Sequence, residues 1–120
     1  MSKVLLVEDN PSQLDLMDSF LRESGHTVIR TTDPKSAFNK VIEQKPDVIV
    51  TDIVMPGMSG FELCRKLKNN AATASIPIVI CSSKDQEIDR LWGMKQGAAA
   101  YLTKPFSREE LLRAIKLAAA

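Results

Sequence analysis

One stretch decides the fold of this 120-residue chain: Val48-Ile49-Val50-Thr51-Asp52-Ile53-Val54-Met55-Pro56-Gly57. Apolar, β-branched residues run straight into an aspartate, and a Pro-Gly turn follows. A continuous apolar run of this kind predicts a strand that is buried on both faces, as in a parallel sheet. Asp52 then lies at the carboxyl end of a central strand, where open α/β sheets bind their ligands. For a lone aspartate a loop cap would be the favoured interpretation, so the other strand ends decide whether a site exists.

Composition predicts one ordinary globular domain over residues 1–120, since 44% of the residues are hydrophobic and 26% are charged. The net charge of +1 gives no reason to expect binding to nucleic acid or to a membrane surface. The amino terminus enters an apolar strand pattern directly, without a signal peptide, and we find no run long enough to cross a bilayer. We therefore expect a cytoplasmic protein.

Cysteine and histidine offer little chemistry in this chain. Cys64 and Cys81 fall in a predicted helix and a predicted strand without the spacing of metal ligands, so we interpret both as reduced packing residues. His26 is the only histidine, which argues against histidine-based metal sites and Ser-His-Asp triads.

Strand and helix patterns alternate five times along the chain. Asn10-Pro11 and Asp33-Pro34 each pair a capping residue with a proline at the first helical position, and residues 107–110 form a capping box. Such alternation predicts a parallel sheet with helices on both faces. The predicted strands span residues 3–7, 27–31, 48–51, 76–81 and 99–102, and the predicted helices start near residues 11, 34, 59, 85 and 107.

Polar side chains follow four of these strands at the point where each strand ends. Glu8-Asp9 follows the first strand, Asp52 the third, Ser82 the fourth and Lys104 the fifth. The carboxyl ends of parallel strands meet at one edge of the sheet. We therefore expect three carboxylates, one hydroxyl and one ammonium group to gather there.

The chemistry of such a cluster is specific. Clustered carboxylates repel one another unless a cation joins them, and oxygen ligands without histidine or cysteine suit Mg²⁺. Because Mg²⁺ is commonly shared with phosphate oxygens, the site is expected to receive a phosphoryl group, with Asp52 as the nucleophile. Lys104 and Ser82 would stabilise the phosphoryl oxygens. Lys104 also fits a plain salt bridge to Asp52.

These residues in this order resemble the receiver domain of response regulators in bacterial two-component signalling. The resemblance covers the whole chain and rests on Glu8-Asp9, on Asp52 with Met55-Pro56-Gly57, and on Ser82, Tyr101 and Lys104-Pro105-Phe106. It implies a flavodoxin-like doubly wound (βα)5 fold with strand order 2-1-3-4-5. It also implies a phosphoacceptor protein, with no enzymatic activity beyond its own phosphorylation and dephosphorylation.

The resemblance also implies roles for individual residues. Asp52 would accept a phosphoryl group from a sensor histidine kinase, with Mg²⁺ as the cofactor. Asp9, Asp52 and the backbone carbonyl of Val54 would bind Mg²⁺ directly, and Glu8 mostly through water. Ser82 and Tyr101 would form the switch pair, with Tyr101 rotating inward on phosphorylation, and the Lys104–Pro105 peptide bond would be cis.

Three departures from the family pattern stand out. Glu8-Asp9 replaces Asp-Asp, which should preserve Mg²⁺ binding, and Ser82 replaces the commoner threonine. Ser83 replaces a small alanine or glycine and is expected to narrow access to the phosphate. Residues 81–86 and 92–97 further resemble stand-alone receivers in the chemotaxis-like pathways that drive twitching motility through type IV pili.

Rival interpretations fit less well. A haloacid-dehalogenase-type aspartyl-phosphate phosphatase needs a second aspartate at position 54, which is Val54 here. A flavodoxin-like binding domain that does not signal would place a flavin phosphate against Glu8-Asp9, which would repel it. A purely structural domain gives no reason for five polar side chains that converge at four strand ends.

The fourth predicted helix leaves two interpretations open. Ile88, Leu91 and Met94 can form the stripe that faces the sheet, or Ile88, Leu91 and Trp92 can. The family resemblance favours the first, which leaves Trp92 partly exposed on an output face with Tyr101, formed by the fourth helix, fifth strand and fifth helix. A downstream protein would bind there. If residue 120 is the natural end, no output domain follows and we expect signalling by protein contacts, whereas an excised fragment could have any output. We expect a monomer or weak dimer.

Overall fold

A computed structural model describes residues 2–120, so Met1 of the predicted domain lies outside the described residues. Within that range the chain alternates five strands with five helices. The strands are β1 (Lys3–Val7), β2 (Thr27–Thr31), β3 (Val48–Thr51), β4 (Ile78–Ser82) and β5 (Ala100–Thr103). The helices are α1 (Pro11–Glu23), α2 (Pro34–Gln44), α3 (Gly60–Lys68), α4 (Glu87–Lys95) and α5 (Arg108–Ala119).

All five strands join one parallel sheet in the order β2-β1-β3-β4-β5, which confirms the predicted fold. β3 lies in the middle, paired with β1 through Val7↔Thr51 and with β4 through Thr51↔Ile80. Every residue of β3 and of β4 is buried, as expected of strands covered on both faces. Asp52 therefore emerges at the carboxyl end of the central strand.

The sheet separates two hydrophobic cores. One core contains α2 and α3 with one face of the strands, and it includes Phe38, Leu63 and Tyr101. The other contains α1 and α5 with the opposite face, and it includes Leu21 and Leu111. Helices on both faces leave the carboxyl edge of the sheet as an open crevice, which is where the polar strand ends meet.

The helix starts follow the sequence signals. The Asn10 side chain accepts a hydrogen bond from the Gln13 amide, and the Asp33 side chain accepts one from the Lys35 amide. Ser107 and Glu110 form the predicted capping box at the start of α5. These caps orient α1 and α5 so that both begin directly beside the sheet edge that carries the acidic residues.

The fourth helix differs from both sequence interpretations. Ile88, Leu91, Trp92 and Met94 are all exposed, and the single buried residue of α4 is Gly93. Both predicted core stripes are therefore wrong. A Cβ atom at Gly93 would lie 3.1 Å from Cδ1 of Ile80 and from Cδ2 of Tyr101, so a larger side chain has no room where α4 meets the sheet.

Among residues 2–120, none of the helices is both long enough and apolar enough to cross a bilayer.

Candidate functional site

The ends of β1 and β3 lie side by side and bring the acidic residues together. The Asp52 amide donates a hydrogen bond to the carbonyl of Val7, which fixes Asp52 beside the Glu8-Asp9 pair. Carboxylate oxygens of Glu8, Asp9 and Asp52 all lie within 4.8 Å of one another. The sequence-predicted acidic cluster is thus assembled by backbone pairing of two central strands.

This donor set fits a hard divalent cation. Three carboxylates supply only oxygen ligands, and Mg²⁺ prefers oxygen ligands. Asp9 and Asp52 are partly exposed, whereas Glu8 is only 1% exposed. The side chain of Val54, whose carbonyl is the third predicted direct ligand, is exposed on the loop after β3. The direct ligand set remains a prediction.

Lys104 supplies the positive charge of the site. Its Nζ lies 2.6 Å from Oε1 of Glu8 and 3.4 Å from Oδ2 of Asp52, and its side chain is 12% exposed. The Lys104 amide donates to the carbonyl of Ser82, and the Lys104–Pro105 peptide bond is cis. Lys104 therefore bridges two acids, and its closer partner is Glu8 rather than the expected Asp52.

Burial and charge have opposite effects on the pKa values of Glu8 and Lys104. Burial raises the pKa of Glu8 above its ordinary value, even though the hydrogen bond from Lys104 lowers it. Burial alone would lower the pKa of Lys104, but the hydrogen bond to Glu8 and the charge of Asp52 outweigh it and raise the pKa. Lys104 is therefore a permanent cation at neutral pH.

The Asp52 side chain is oriented by two donors. Its Oδ1 accepts a 2.7 Å hydrogen bond from the Ile53 amide, and its Oδ2 faces Lys104. Its backbone is also confined, because a Cβ atom at Gly60 would lie 2.0 Å from the Asp52 carbonyl oxygen. The start of α3 thus packs directly against the strand end that carries Asp52.

A surface cavity of about 530 Å³ opens onto these groups. Sequence reasoning missed Gln13 and Leu16 of α1, which line it beside the acids. Helical spacing could have identified both residues, since positions 10, 13 and 16–17 lie along one face at the start of α1. The lining residues are Glu8, Asp9, Asn10, Gln13, Leu16, Met17, Asp52, Ser83, Lys104, Pro105 and Phe106.

Ser83 lines this cavity, whereas Ser82 does not. Ser82 is fully buried, and its Oγ accepts a hydrogen bond from the Lys84 amide. The proton of the Ser82 hydroxyl is not committed by that bond, so the hydroxyl remains able to donate. Ser83 is exposed at the cavity wall, where we expected it to narrow access to the phosphate.

Tyr101 occupies an inward position. Its side chain is 7% exposed, and its hydroxyl donates a 2.7 Å hydrogen bond to the carbonyl of Lys84. Arg90 of α4 lies over its ring at 5.4 Å and reaches its backbone carbonyl. Tyr101 is therefore already inward in this structure, and its rotation on phosphorylation stays a prediction.

Trp92 lies on the other flank of α4. Its ring meets the ring of Phe61 on α3 edge-to-face, with centroids 6.5 Å apart. Arg90 and Gly93 contact Tyr101 from the opposite flank. Trp92 is thus partly exposed, as expected, and Tyr101 is buried; the output face assigned to them stays a prediction.

The two cysteines lie outside the site. Both are buried, and burial raises the pKa of Cys64 to about 11 and of Cys81 to about 12. Both thiols are therefore protonated at neutral pH, which agrees with their interpretation as packing residues.

Sequence relatives resemble this chain over almost its whole length. A family model described as the response regulator receiver domain matches residues 4–116. Protein PilH of Pseudomonas aeruginosa is 41% identical over 115 residues, covering 96% of this chain and 95% of PilH. Protein PilG of the same organism is 40% identical over 114 residues, covering 95% of this chain and 84% of PilG.

Solved structures of response regulators and receiver domains superpose closely on this fold. The chemotaxis response regulator CheY4 of Vibrio cholerae superposes with a TM-score of 0.90 at 30% identity, covering 97% of each chain. The receiver domain of a Pseudomonas aeruginosa sensor histidine kinase, solved with a magnesium ion in its active-site cleft, gives a TM-score of 0.90 at 29% identity. That superposition covers 98% of this chain and 97% of the other. With its acidic cluster, strand order and family match, this chain belongs to the response regulator receiver domains.

Proposed function

We propose that this protein accepts a phosphoryl group on Asp52 from a phosphohistidine of a sensor histidine kinase. One observation carries the proposal: three carboxylates and the Lys104 ammonium converge at the mouth of one cavity, with Asp52 at the end of the central strand. In the transfer, a carboxylate oxygen of Asp52 forms a bond to phosphorus while the phosphorus–nitrogen bond to the imidazole breaks. The protein carries the group and turns over no separate substrate.

The acidic residues would hold the metal. Receiver domains bind Mg²⁺ at an acidic pocket, and we assign Asp9, Asp52 and the carbonyl of Val54 as direct ligands here. Glu8 would act mostly through water, which is consistent with its burial and its tight pairing with Lys104. When bound, Mg²⁺ neutralises charge on the phosphoryl oxygens.

The remaining polar residues would stabilise the acceptor and its product. The Ile53 amide and Lys104 orient the two oxygens of Asp52 before any donor arrives. Lys104 would then shift from Glu8 toward the new phosphoryl oxygens, where a charge-assisted hydrogen bond is stronger. The uncommitted proton of Ser82 would be donated to another phosphoryl oxygen.

The Ser82–Tyr101 pair would convert phosphorylation into a change of shape. Movement of the Ser82 hydroxyl toward the phosphoryl group favours the inward position of Tyr101. That position is held here by the hydrogen bond to the Lys84 carbonyl. The change is a shift in population between two states of the Tyr101 ring, limited by the difference in contacts.

We place this activity in the cytoplasm, in chemotaxis-like control of twitching motility, with a chemotaxis-type kinase as the donor. The likeness to PilH and PilG, at 41% and 40% identity, supports this pathway. The output would be contact with a downstream protein through α4, β5 and α5, made by a monomer or weak dimer.

The test is phosphorylation of Asp52→Asn. The amide preserves the shape of the side chain but removes the nucleophilic carboxylate, so labelling by acetyl phosphate with Mg²⁺, or by a phosphorylated kinase, should vanish. Asp33→Asn changes an exposed helix cap that follows β2, the outermost strand. It is the matched control and should label normally. Full labelling of Asp52→Asn would show that another residue is the acceptor.

A further inference from the structure

Helix α4 presents an apolar surface that the receiver chemistry does not use. Ile88 is 65% exposed, Leu91 57% and Trp92 45%, although all three belong to a helix that packs on the sheet. Isolated exposed apolar residues are common, but a cluster on one helix face marks an interaction site. We therefore expect this surface to bind a partner.

The aromatic part of this surface lies between α3 and α4. Phe61 near the start of α3 and Trp92 of α4 meet edge-to-face, and Ile88 stands one turn before Trp92 on the same flank. We call the surface formed by Phe61, Arg65, Ile88, Trp92 and Lys95 the α3–α4 groove. It is separate from the flank of α4 that faces β5, where Arg90 contacts Tyr101.

Two exposed cations lie one turn beyond the aromatic pair. The Lys95 Nζ lies over the Trp92 ring at 5.8 Å, and Arg65 follows Phe61 by four residues on α3. Both cations lie on the side of the rings away from the acidic site, toward the ends of their helices. The groove therefore changes from apolar to basic along its length.

Neighbouring acidic residues do not cancel this charge. The Asp89 carboxylate accepts a hydrogen bond from the Gln86 amide at the start of α4. Glu62 lies three residues before Arg65, but within residues 2–120 neither Arg65 nor Lys95 forms a salt bridge. The surface beside Trp92 is thus positive at its basic end.

We propose that the α3–α4 groove binds an acidic amphipathic segment of a partner protein. One large apolar side chain of that segment would pack between Phe61 and Trp92. Its acidic residues, one helical turn further on, would pair with Arg65 and Lys95. Tryptophan and arginine are the residues that most often dominate binding energy at protein interfaces, which fits this composition. Charge complementarity sets the direction of the segment along the groove.

The shape of the surface favours a protein segment over a lipid surface. Binding to anionic membranes typically uses clusters of four or more cations, roughly 4–8, whereas the groove offers two. The net charge of +1 adds no long-range attraction to such a surface.

Trp92 is the only tryptophan of the chain and reports directly on the groove. A phage-displayed library of short random peptides is selected on the immobilised protein, and each enriched peptide is then titrated while the emission of Trp92 is recorded. We expect enriched peptides to carry one large apolar residue with acidic residues one turn away. Their binding should shift Trp92 emission to shorter wavelength, because the indole leaves water.

Charge reversal provides the decisive comparison. Arg65→Glu with Lys95→Glu should weaken these peptides at least about tenfold, the effect of a single energetically important contact. Replacing the acidic residues of the peptide by lysine should restore binding to that variant. Lys35→Glu with Lys40→Glu reverses two cations on α2, outside both the groove and the proposed output face, and should leave the affinity unchanged. Thermal unfolding of both variants verifies that each is folded.

Several results would overturn the proposal. Selection that yields no peptide sensitive to Arg65→Glu with Lys95→Glu, or only basic peptides, would exclude an acidic partner segment. A shift of Trp92 emission with protein concentration alone, with dimers in sedimentation, would assign the groove to a second copy of the chain. A shift caused by phosphatidylglycerol vesicles and lost on charge reversal would assign it to a membrane. The assay gives the same expected result in Asp52→Asn, so it stands apart from phosphoryl transfer.

Discussion

The carboxyl edge of the sheet and helix α4 are built in opposite ways. At the sheet edge, Asp52 follows a strand whose every residue is buried, and backbone hydrogen bonds, a close-packed helix start and Lys104 fix its position. Helix α4 contributes one buried residue, Gly93, and exposes its large apolar side chains. One region is fixed by many buried contacts, and the other buries a single small residue against the sheet, beside the contact of Arg90 with Tyr101.

In the proposed function, this difference would separate the site of phosphoryl transfer from the surface that binds partners. An acceptor that must meet a metal and a phosphoryl donor gains from a rigid position, since misplacement of reacting atoms slows transfer. A helix held by few buried contacts changes position at low cost, as elements that move in switching generally do. Tyr101 joins the two regions, because its ring lies under Gly93 and its hydroxyl reaches the loop after β4.

Gly60→Ala tests the rigid region and should have the largest effect. A Cβ atom there would lie 2.0 Å from the Asp52 carbonyl oxygen, and backbone cannot move aside as a flexible side chain can. We expect the free energy of unfolding to fall by about 4 kcal/mol or more, beyond ordinary overpacking. Urea unfolding measures it. A loss below about 1 kcal/mol would mean that the start of α3 moves freely.

Asp9→Asn tests the electrostatics of the same region. Removing one of three clustered carboxylates leaves too little negative charge to offset the dehydration of Mg²⁺. We expect Mg²⁺ affinity to fall by more than the roughly 10–100-fold typical of residues that only support metal ligands. Calorimetric titration with Mg²⁺ measures it, with Asp85→Asn as the control outside the acidic cluster. Unchanged affinity in Asp9→Asn would remove Asp9 from the ligand set.

Trp92→Ala tests the loosely held region. Trp92 is 45% exposed, and its one aromatic contact is with Phe61. An edge-to-face pair is worth about 0.5–1.5 kcal/mol, so we expect a loss of about 1 kcal/mol in unfolding free energy. Urea unfolding again measures it. A loss of roughly 3–5 kcal/mol, typical of an emptied aromatic core site, would show that Trp92 is core.

Gly93→Ala should have the smallest net effect. Alanine gains up to about 1 kcal/mol over glycine within a helix, and the contacts of its Cβ with Ile80 and Tyr101 at 3.1 Å oppose that gain. We expect the unfolding free energy to change by less than about 1 kcal/mol while Trp92 emission shifts as α4 adjusts. Destabilisation as large as that of Gly60→Ala would show that α4 is packed as tightly as the carboxyl edge of the sheet.

Most of the fold was predictable because its signals are local. The apolar run of β3, the caps at Asn10 and Asp33 and the capping box at Ser107 each depend on a few neighbouring residues. The acidic cluster followed from the same reasoning, because parallel strands end at a common edge. Element ends were less accurate: β4 runs over Ile78–Ser82 rather than 76–81, and α4 over Glu87–Lys95 rather than about 85–96.

The orientation of α4 was not predictable from its own sequence. Helical periodicity assumes that large apolar residues face the core, and Ile88, Leu91 and Trp92 fit that assumption in their spacing. The space under α4 is instead filled by the rings and methyl groups of Tyr101 and Ile80, which leave room only for Gly93. That information comes from two other strands, so no window within α4 contains it. The close pairing of Lys104 with Glu8 was missed for the same reason.

The pairing of Lys104 with Glu8 spans 96 positions of sequence. A chain growing on the ribosome exposes Glu8, Asp9 and Asp52 well before Lys104, so the acidic cluster is complete while its balancing cation is still unsynthesised. The fifth strand, at the edge of the sheet, therefore supplies the last charged group of the cluster. If Lys104 stabilises the phosphoryl group as proposed, a nascent chain that lacks this strand would lack that stabilisation.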